Sequence, residues 1–229
     1  MQIVILCGGL ASRLGNLSKK KPKSLIKFKK IPFIVHQIQL LKSYGFKNFL
    51  LCVGHFNEQI TNNLGNGAKF DVNINYSFDG KKLLGTAGSI KKAYKKLDKN
   101  FILLNGDSYI KFNPNKLIYR HRVDNKSTIL VKKNIRKNLK SNIILKKKLI
   151  IEYCKQGIKN SQYIDIGMQI FNSDIFDLYL KKNKYYDLEY IYKILIKKNQ
   201  LYHYKTSAPF FEIGSFEGIN DFNNYLLTK

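Results

Sequence analysis

At 229 residues the chain is long enough for one ordinary domain, or one domain with a small insert. Its 44% hydrophobic and 13% aromatic content excludes a disordered chain, and no apolar run approaches the roughly 20 residues that a membrane helix needs. The formal net charge of +26, from 41 Lys+Arg against 15 Asp+Glu, has two readings: a nucleic-acid or anionic-membrane binder, or a lysine-rich surface. The lysines fall in short, dispersed runs such as Lys132-Lys133 and Lys181-Lys182, and arginine is scarce, which favours the surface reading and makes nucleic acid an improbable partner. Such a surface still attracts small polyanions. Cys7, Cys52 and Cys154 are odd in number and lack metal-type spacing, as expected for reduced thiols in a cytoplasmic protein. The opening MQIVILCGG has no basic leader and does not read as a signal peptide.

Gln2–Cys7 is a continuous apolar run, the pattern of a parallel strand covered on both faces. Apolar residues at helical spacing (Phe33, Ile34, Ile38, Leu41) follow Pro32 and stop at Gly45, which predicts a helix over Phe33–Tyr44. Strands are expected at Asn48–Val53, Val72–Tyr76 and Phe101–Leu104, with helices at Asn57–Leu64 and Gly88–Leu97 between them. Repeated strand–helix units of this length imply a doubly wound, mixed but mostly parallel α/β sheet. Past Pro114 the rhythm changes. A helix at Asn115–Val123 leads into short β runs at Thr128–Lys132, Asn142–Leu145, Leu149–Tyr153 and Ile164–Phe171. Helices at Ser173–Lys181 and Leu188–Lys198, strands near Leu201–Tyr204 and Phe210–Ile213, and a closing helix over Phe216–Leu227 complete the chain. This reads as a single domain, 1–229, whose first half is 1–125 and whose second, with a small β-rich extension, is 126–229.

Five segments carry candidate chemistry. Leu6-Cys7-Gly8-Gly9-Leu10-Ala11-Ser12-Arg13 follows the first strand; adjacent glycines there let backbone N–H groups approach phosphate oxygens, whereas a plain turn needs only one. Pro22 stiffens the loop before Lys23, so that lysine can be aimed. Gly85-Thr86-Ala87-Gly88-Ser89 offers a flat surface to a planar base, or simply an N-cap at Thr86 or Ser89. Asp107, after Asn105-Gly106 at a strand end, suits Mg²⁺ that also takes phosphate oxygens, or a turn. Glu212, ahead of Gly214, is a second carboxylate for the same cleft, or a cap.

In this order the segments resemble the nucleotidyltransferases that activate sugar 1-phosphates, over nearly the whole chain. That family has a glycine-rich loop ending in Thr/Ser-Arg, then Pro-Lys, a small-residue base loop, a Gly-Asp metal motif and a late Asp-x-Gly turn. Leu84-Gly85-Thr86-Ala87-Gly88 is most similar to the D-glycero-D-manno-heptose 1-phosphate guanylyltransferases, and N-acetylmuramate 1-phosphate uridylyltransferases look similar there. Ala11 stands where the family usually has glycine, Glu212 where it has aspartate, and Glu152-Tyr153-Cys154-Lys155-Gln156 where it has a Glu-Lys pair. Asp165-Ile166-Gly167 replaces the common Asn-Gly-Gly or Asn-Ala-Gly.

The resemblance implies a Rossmann-like nucleotidyltransferase fold and an in-line displacement at the α-phosphorus of a nucleoside triphosphate by a sugar 1-phosphate. It implies that Arg13 holds the leaving phosphates, Lys23 the α-phosphate, and Asp107 with Glu212 a Mg²⁺ ion. Leu6, Cys7, Gly8, Gly9, Gly85, Thr86, Gly88 and Asn105 would frame the nucleotide, and Glu152, Asp165 and Gly167 the sugar. Guanylyl, uridylyl and cytidylyl transfer stay open at this point, as do a homo-oligomer and a nucleotide-binding protein without turnover.

Overall fold

The computed structural model describes residues 1–9, 21–136 and 139–228. In chain order, β1 (Gln2–Leu6) is followed by a small hairpin of β2 (Lys27–Phe28) and β3 (Ile31–Pro32), then helix α1 (Phe33–Ser43). Next come β4 (Asn48–Val53), α2 (Asn57–Leu64), β5 (Asn73–Phe78), α3 (Gly85–Ala93), β6 (Asn100–Asn105), β7 (Ser108–Ile110) and α4 (Asn115–Asp124). The second half holds β8 (Ser127–Lys133), β9 (Ile143–Lys146), β10 (Leu149–Tyr153), β11 (Tyr163–Asn172), α5 (Asp174–Tyr179) and α6 (Leu188–Lys197). It ends with β12 (Leu201–Lys205), β13 (Phe210–Glu212) and α7 (Phe216–Leu227).

Strands β5, β4, β1 and β6 lie side by side and parallel. Their apolar runs are buried on both faces because side chains alternate. Ile3 and Ile5 join one core with Ile34 and Ile38 of α1, Ile60 of α2 and Leu117 of α4. Val4, Leu50 and Leu103 join another with Ile90 of α3, Phe176 of α5 and Ile191 of α6. Each such fully buried side chain contributes about 1.5–3 kcal/mol, so covering both faces is what holds the central strands together. Helix α6 shows the local logic. Asp187 caps it by accepting from Glu189 N at 3.1 Å, and Leu188, Ile191, Tyr192 and Leu195 form its buried stripe.

The sheet continues beyond β6 as β11, β8, β12, β10 and β9, and β9 returns to β11 through Ile143 opposite Tyr163. These last five strands therefore close on themselves. The expectation of a mostly parallel sheet is corrected: only β1–β4, β1–β6, β4–β5 and β8–β12 are parallel, while β11 pairs antiparallel with β6, β8 and β9, and β10 with β9 and β12. For β9 and β10 a short connection decides this. Only Lys147 and Lys148 join β9 to β10, and a parallel pair needs a crossover of a dozen or more residues.

Strands β2, β3 and β7 were not expected from the sequence. Strand β7 pairs antiparallel with β13, setting Ser108 opposite Glu212. Behind that ladder a third core gathers Phe28, Phe33, Tyr109, Ile213, Phe222 and Leu226. Phe222 of α7 meets Phe28 and Phe33 edge-on at 4.9 and 5.0 Å, which locks the β2–β3 hairpin and the last helix to the strand ladder. Among the described residues no helix is long and apolar enough to cross a membrane.

Candidate active site

The carboxyl ends of β1 and β6 are in register, Leu6 beside Asn105. Gly106 N donates to Leu6 O at 3.1 Å, and a Cβ on Gly106 would stand 2.4 Å from that oxygen. Only glycine lets β6 turn so close under β1. Gly8 is tight against Gly54, where a Cβ would lie 3.0 Å from the Gly54 nitrogen. Gln37 of α1 is buried and donates its amide to Asn105 O (3.0 Å) and Ser108 O (2.7 Å), pinning the intervening turn. Cys7 and Cys52 are buried here; burial drives both thiols up, Cys52 to about 12, so neither is a nucleophile.

Lys23 sits in a single helical turn, Lys23–Leu25, that Pro22 opens in extended geometry. Its Nζ lies 3.6 Å from Asp107 Oδ2, with side chains 15% and 36% exposed. Asp107 O accepts from Ile213 N at 3.0 Å, so the β7–β13 ladder carries Glu212 to the same place. Glu212 Oε2 accepts from Gly214 N at 2.6 Å, Oε1 accepts from Ser215 Oγ, and Ser215 Oγ caps α7 by accepting from Gly218 N at 3.0 Å. Gly214 marks where the groups converge. A Cβ there would stand 2.8 Å from Glu212 Oε2, 3.4 Å from Lys23 Nζ and 3.6 Å from Asp107 Oδ2.

Two carboxylates are the oxygen donors at this point, and among the described residues no set of three metal-binding side chains occurs. That fits Mg²⁺, which is commonly held by one or two carboxylates and completes its octahedron with phosphate oxygens and water.

Helix α3 begins at Gly85, three residues earlier than the sequence implied, because a distant segment satisfies its first N–H groups. Ala87 N and Gly88 N both donate to Tyr186 O, at 3.0 and 3.2 Å, and Tyr186 N donates to Leu84 O at 2.9 Å. Gly85, at φ +73°, would place a Cβ 2.5 Å from Tyr186 O, and Gly88 one 2.7 Å from Lys184 O. Thr86 is not an N-cap, since its Oγ1 accepts from Leu188 N at 2.8 Å. Nor does Ser89 cap the helix: its hydroxyl contacts Gly85 O at 2.8 Å and Asp79 Oδ2 at 2.9 Å. The glycines thus serve a backbone junction between the two halves of the chain.

Two adjoining cavities result. One of about 330 Å³ is lined by Gly8, Asp79, Leu83, Gly85, Ser89 and Tyr185; the other, about 300 Å³, by Cys7, Lys23, Ser24, Asn105, Gly106 and Asp107. Leu6, Gly9, Thr86 and Lys155 border both. A larger hollow of about 590 Å³ is lined by His121, Asn172, Asp174 and Lys198. His121 contacts Asn100, the first residue of β6, so it lies at the opposite end of the strands from the glycines. Ligands of open α/β sheets bind at the carboxyl ends, which favours the paired cavities.

Asp165 lies on β11 where the register with β8 breaks. Its carboxylate accepts from Gly167 N (2.8 Å), Gln169 Nε2 (3.0 Å) and Tyr192 OH (3.4 Å), while burial pushes its pKa up to about 6. Gly167, at φ +88°, fits because a Cβ would stand 2.7 Å from Asn105 Nδ2 and 2.8 Å from Ser108 Oγ. The bulge therefore abuts the Asn105–Ser108 turn. Next to the paired cavities, and sharing Lys155 with them, is a third space of about 570 Å³ on this side of the sheet, lined also by Lys140, Asn142, Gln156, Asp165 and Phe210.

Glu152 is exposed and lines none of these three cavities, so the structure separates it from the rest. The bulge between Ile150 and Glu152 and the turn that follows bring Lys155 to the junction instead, where its Nζ donates to Asp187 Oδ2 at 2.5 Å. The sequence alone offered only the Glu-Lys resemblance as a signal for Lys155. Asp79 and Asp187 were missed entirely; the one clue to Asp79 is its place just past a strand's carboxyl end. Ala11, Ser12 and Arg13 lie outside the described residues.

The nucleotidyl transferase family model matches residues 2–229. The chain is 27% identical over 217 residues to a D-glycero-alpha-D-manno-heptose 1-phosphate guanylyltransferase of Aneurinibacillus thermoaerophilus, with 93% of each chain covered. It is 29% identical over 225 residues to a mannose-1-phosphate guanyltransferase of Saccharomyces cerevisiae, covering 93% of this chain but only 61% of that one. In three dimensions it superposes on HddC from Yersinia pseudotuberculosis with a TM-score of 0.85, at 22% identity and over 98% and 99% of the two chains.

Proposed function

The chain belongs to the nucleotidyl transferase family, and from that premise we propose that it transfers GMP from GTP to D-glycero-D-manno-heptose 1-phosphate with Mg²⁺, yielding a GDP-heptose and pyrophosphate for surface-polysaccharide synthesis. The observation that carries the reading is the convergence of Lys23, Asp107 and Glu212 around Gly214 beside the glycine-lined cavity. Both curated relatives described above carry guanylyl-transfer names, and the heptose enzyme matches along 93% of its length.

In the reaction an oxygen of the sugar 1-phosphate attacks the α-phosphorus, the bond to the bridging oxygen of the β-phosphate breaks, and pyrophosphate departs. The attacking phosphate is already ionised, so no general base is required, and the barrier lies in bringing polyanions together in line. The backbone from Leu6 to Gly9 and the Gly85 loop hold the nucleoside. Lys23 places its ammonium at the α-phosphate, where negative charge builds; losing such a preorganised donor typically costs about 3–4 kcal/mol of barrier. Asp107 and Glu212 would hold Mg²⁺, which would supply neutralisation of the phosphate charge. Arg13 is assigned to the leaving phosphates. Lys155, which borders the paired cavities and the one lined by Asp165, would meet the sugar phosphate, with Gly167 in the bulge beside Asp165.

Crossing four nucleoside triphosphates with a panel of sugar 1-phosphates and scoring pyrophosphate release tests the reading. Turnover is expected first with GTP and the heptose 1-phosphate, and only with Mg²⁺ present. Release from no pair would end it; turnover with another sugar would correct the acceptor alone.

A further inference from the structure

We infer that Gln37 of α1 is a positioning residue: its buried amide clamps both ends of the Asn105–Ser108 turn and so sets where the Asp107 carboxylate meets metal and phosphate. The inference rests on the nucleotidyl transfer proposed above.

Gln37 falls among Phe33, Ile34, Val35, Ile38 and Leu41 on the buried face of α1 and is only 1% exposed. Helical periodicity asks for an apolar side chain there. An amide in such a place must find its partners inside the protein. Its Nε2 donates to Asn105 O at 3.0 Å and to Ser108 O at 2.7 Å, which uses both N–H groups. Both partners are carbonyl oxygens, so the amide cannot be turned over without setting Oε1 against them. Oε1 itself is buried with no hydrogen-bond partner among the described residues. A methionine or leucine would bring no such unmet acceptor, so packing alone does not call for an amide. What the amide adds is its pair of donors.

The two carbonyls bracket Gly106 and Asp107. Elsewhere the turn is tied by Gly106 N donating to Leu6 O (3.1 Å) and by Ile213 N donating to Asp107 O (3.0 Å). The Asp107 carboxylate comes no closer than 3.6 Å to Lys23 Nζ, so the backbone of the turn sets its direction. Mg²⁺ takes its oxygens at about 2.0–2.1 Å in near-ideal octahedral geometry and tolerates little displacement. A shift of about 0.5 Å in a turn released at both ends is enough to spoil that geometry. Gln37 lines neither of the paired cavities, so its effect passes through Asp107.

Gln37→Met keeps the length of the side chain and removes both donors. In the full chain, pyrophosphate release gives kcat and KM for GTP. Electron paramagnetic resonance of Mn²⁺, in place of Mg²⁺, gives metal affinity with GTP present and no sugar phosphate. The variant should lower kcat by about 10–100-fold and weaken Mn²⁺ by about tenfold, while KM for GTP changes by less than about twofold. Placed on Asp107→Ala, the same substitution should lower kcat by less than about twofold, because the two residues act as one unit. A lower melting temperature with kcat and Mn²⁺ affinity unchanged would make Gln37 merely structural and overturn the inference. Full additivity with Asp107→Ala would do the same. Should Gln37→Met not fold, Gln37→Glu keeps the shape and, in either protonation state, has at most one donor for two carbonyls. The same losses are then expected, and unchanged values count equally against the inference. If Asp107→Ala alters neither kcat nor Mn²⁺ affinity, the failure lies instead with the transfer reading beneath it.

Discussion

Lys23 Nζ stands 3.6 Å from Asp107 Oδ2, near enough to share a field and beyond an ordinary hydrogen bond. The two charges line one cavity and are only partly neutralised by each other. Each is left with capacity for a ligand, the lysine for an anion and the aspartate for a cation.

Asp107→Ala should lower kcat for pyrophosphate release by roughly 10²–10³-fold, as expected when a metal carboxylate is lost. The melting temperature should change little, because the side chain is partly exposed. Near-normal turnover would remove Asp107 from the mechanism.

For Lys23→Ala the separation of kcat from KM is the informative readout. A charge that acts mainly in the transition state should reduce kcat at least as much as it raises KM for the triphosphate, by roughly 10²-fold overall. A rise in KM alone would make Lys23 a binding residue only.

Gly214→Ala places a methyl group 2.8 Å from Glu212 Oε2 and within 3.6 Å of both Lys23 Nζ and Asp107 Oδ2. Glu212 is anchored to Gly214 N and Ser215 Oγ and cannot simply swing aside. Turnover should fall about tenfold or more, and the Mg²⁺ concentration for half-maximal rate should rise. Unchanged values of both would show that the point beside Gly214 is not where the metal and phosphates meet.

Asp165 yields a pH dependence of definite sign. Its folded pKa, about 6, exceeds the ordinary 3.8, so the folded state binds the proton more tightly than the unfolded chain does. The corresponding stability is fully present below pH 3.8 and is lost as pH rises to about 6. Relative to Asp165→Asn, the unaltered protein should therefore lose on the order of 2–3 kcal/mol between pH 4 and pH 7. Parallel melting curves of the two proteins across that range would refute the shift.

Cysteine labelling tests the buried floor of the site. Cys7 and Cys52 are buried with strongly raised thiol pKa values, whereas Cys154 is half-buried at the turn after β10. At neutral pH a thiol reagent should label Cys154 quickly and the other two only as the protein unfolds. Fast labelling of Cys7 would mean that the strand end opens readily.

Much of this arrangement was legible beforehand. The run Ile3-Val4-Ile5 announces a strand covered on both faces, and the spacing of Phe33, Ile34, Ile38 and Leu41 announces α1, because both depend on periodicities within a few residues. Lys23, Asp107 and Glu212 could be singled out for a similar reason: each lies beside a glycine or proline that shapes the backbone locally. The direction of β11 and the ring closed by β9 were not legible, since pairing partners far apart in sequence decide them.

The sequence by itself determined that glycines follow the first strand and that a carboxylate ends another. Only the tertiary structure decided which carboxylates and cations share that space. It brings Gly214 between Lys23, Asp107 and Glu212, moves Lys155 in and leaves Glu152 out, and buries Asp79 beside the Gly85 loop. The reason is physical. A strand or helix advertises its inward face by local alternation, whereas a polar side chain's role depends on what surrounds it, and those neighbours arrive through register, bulges and long-range turns.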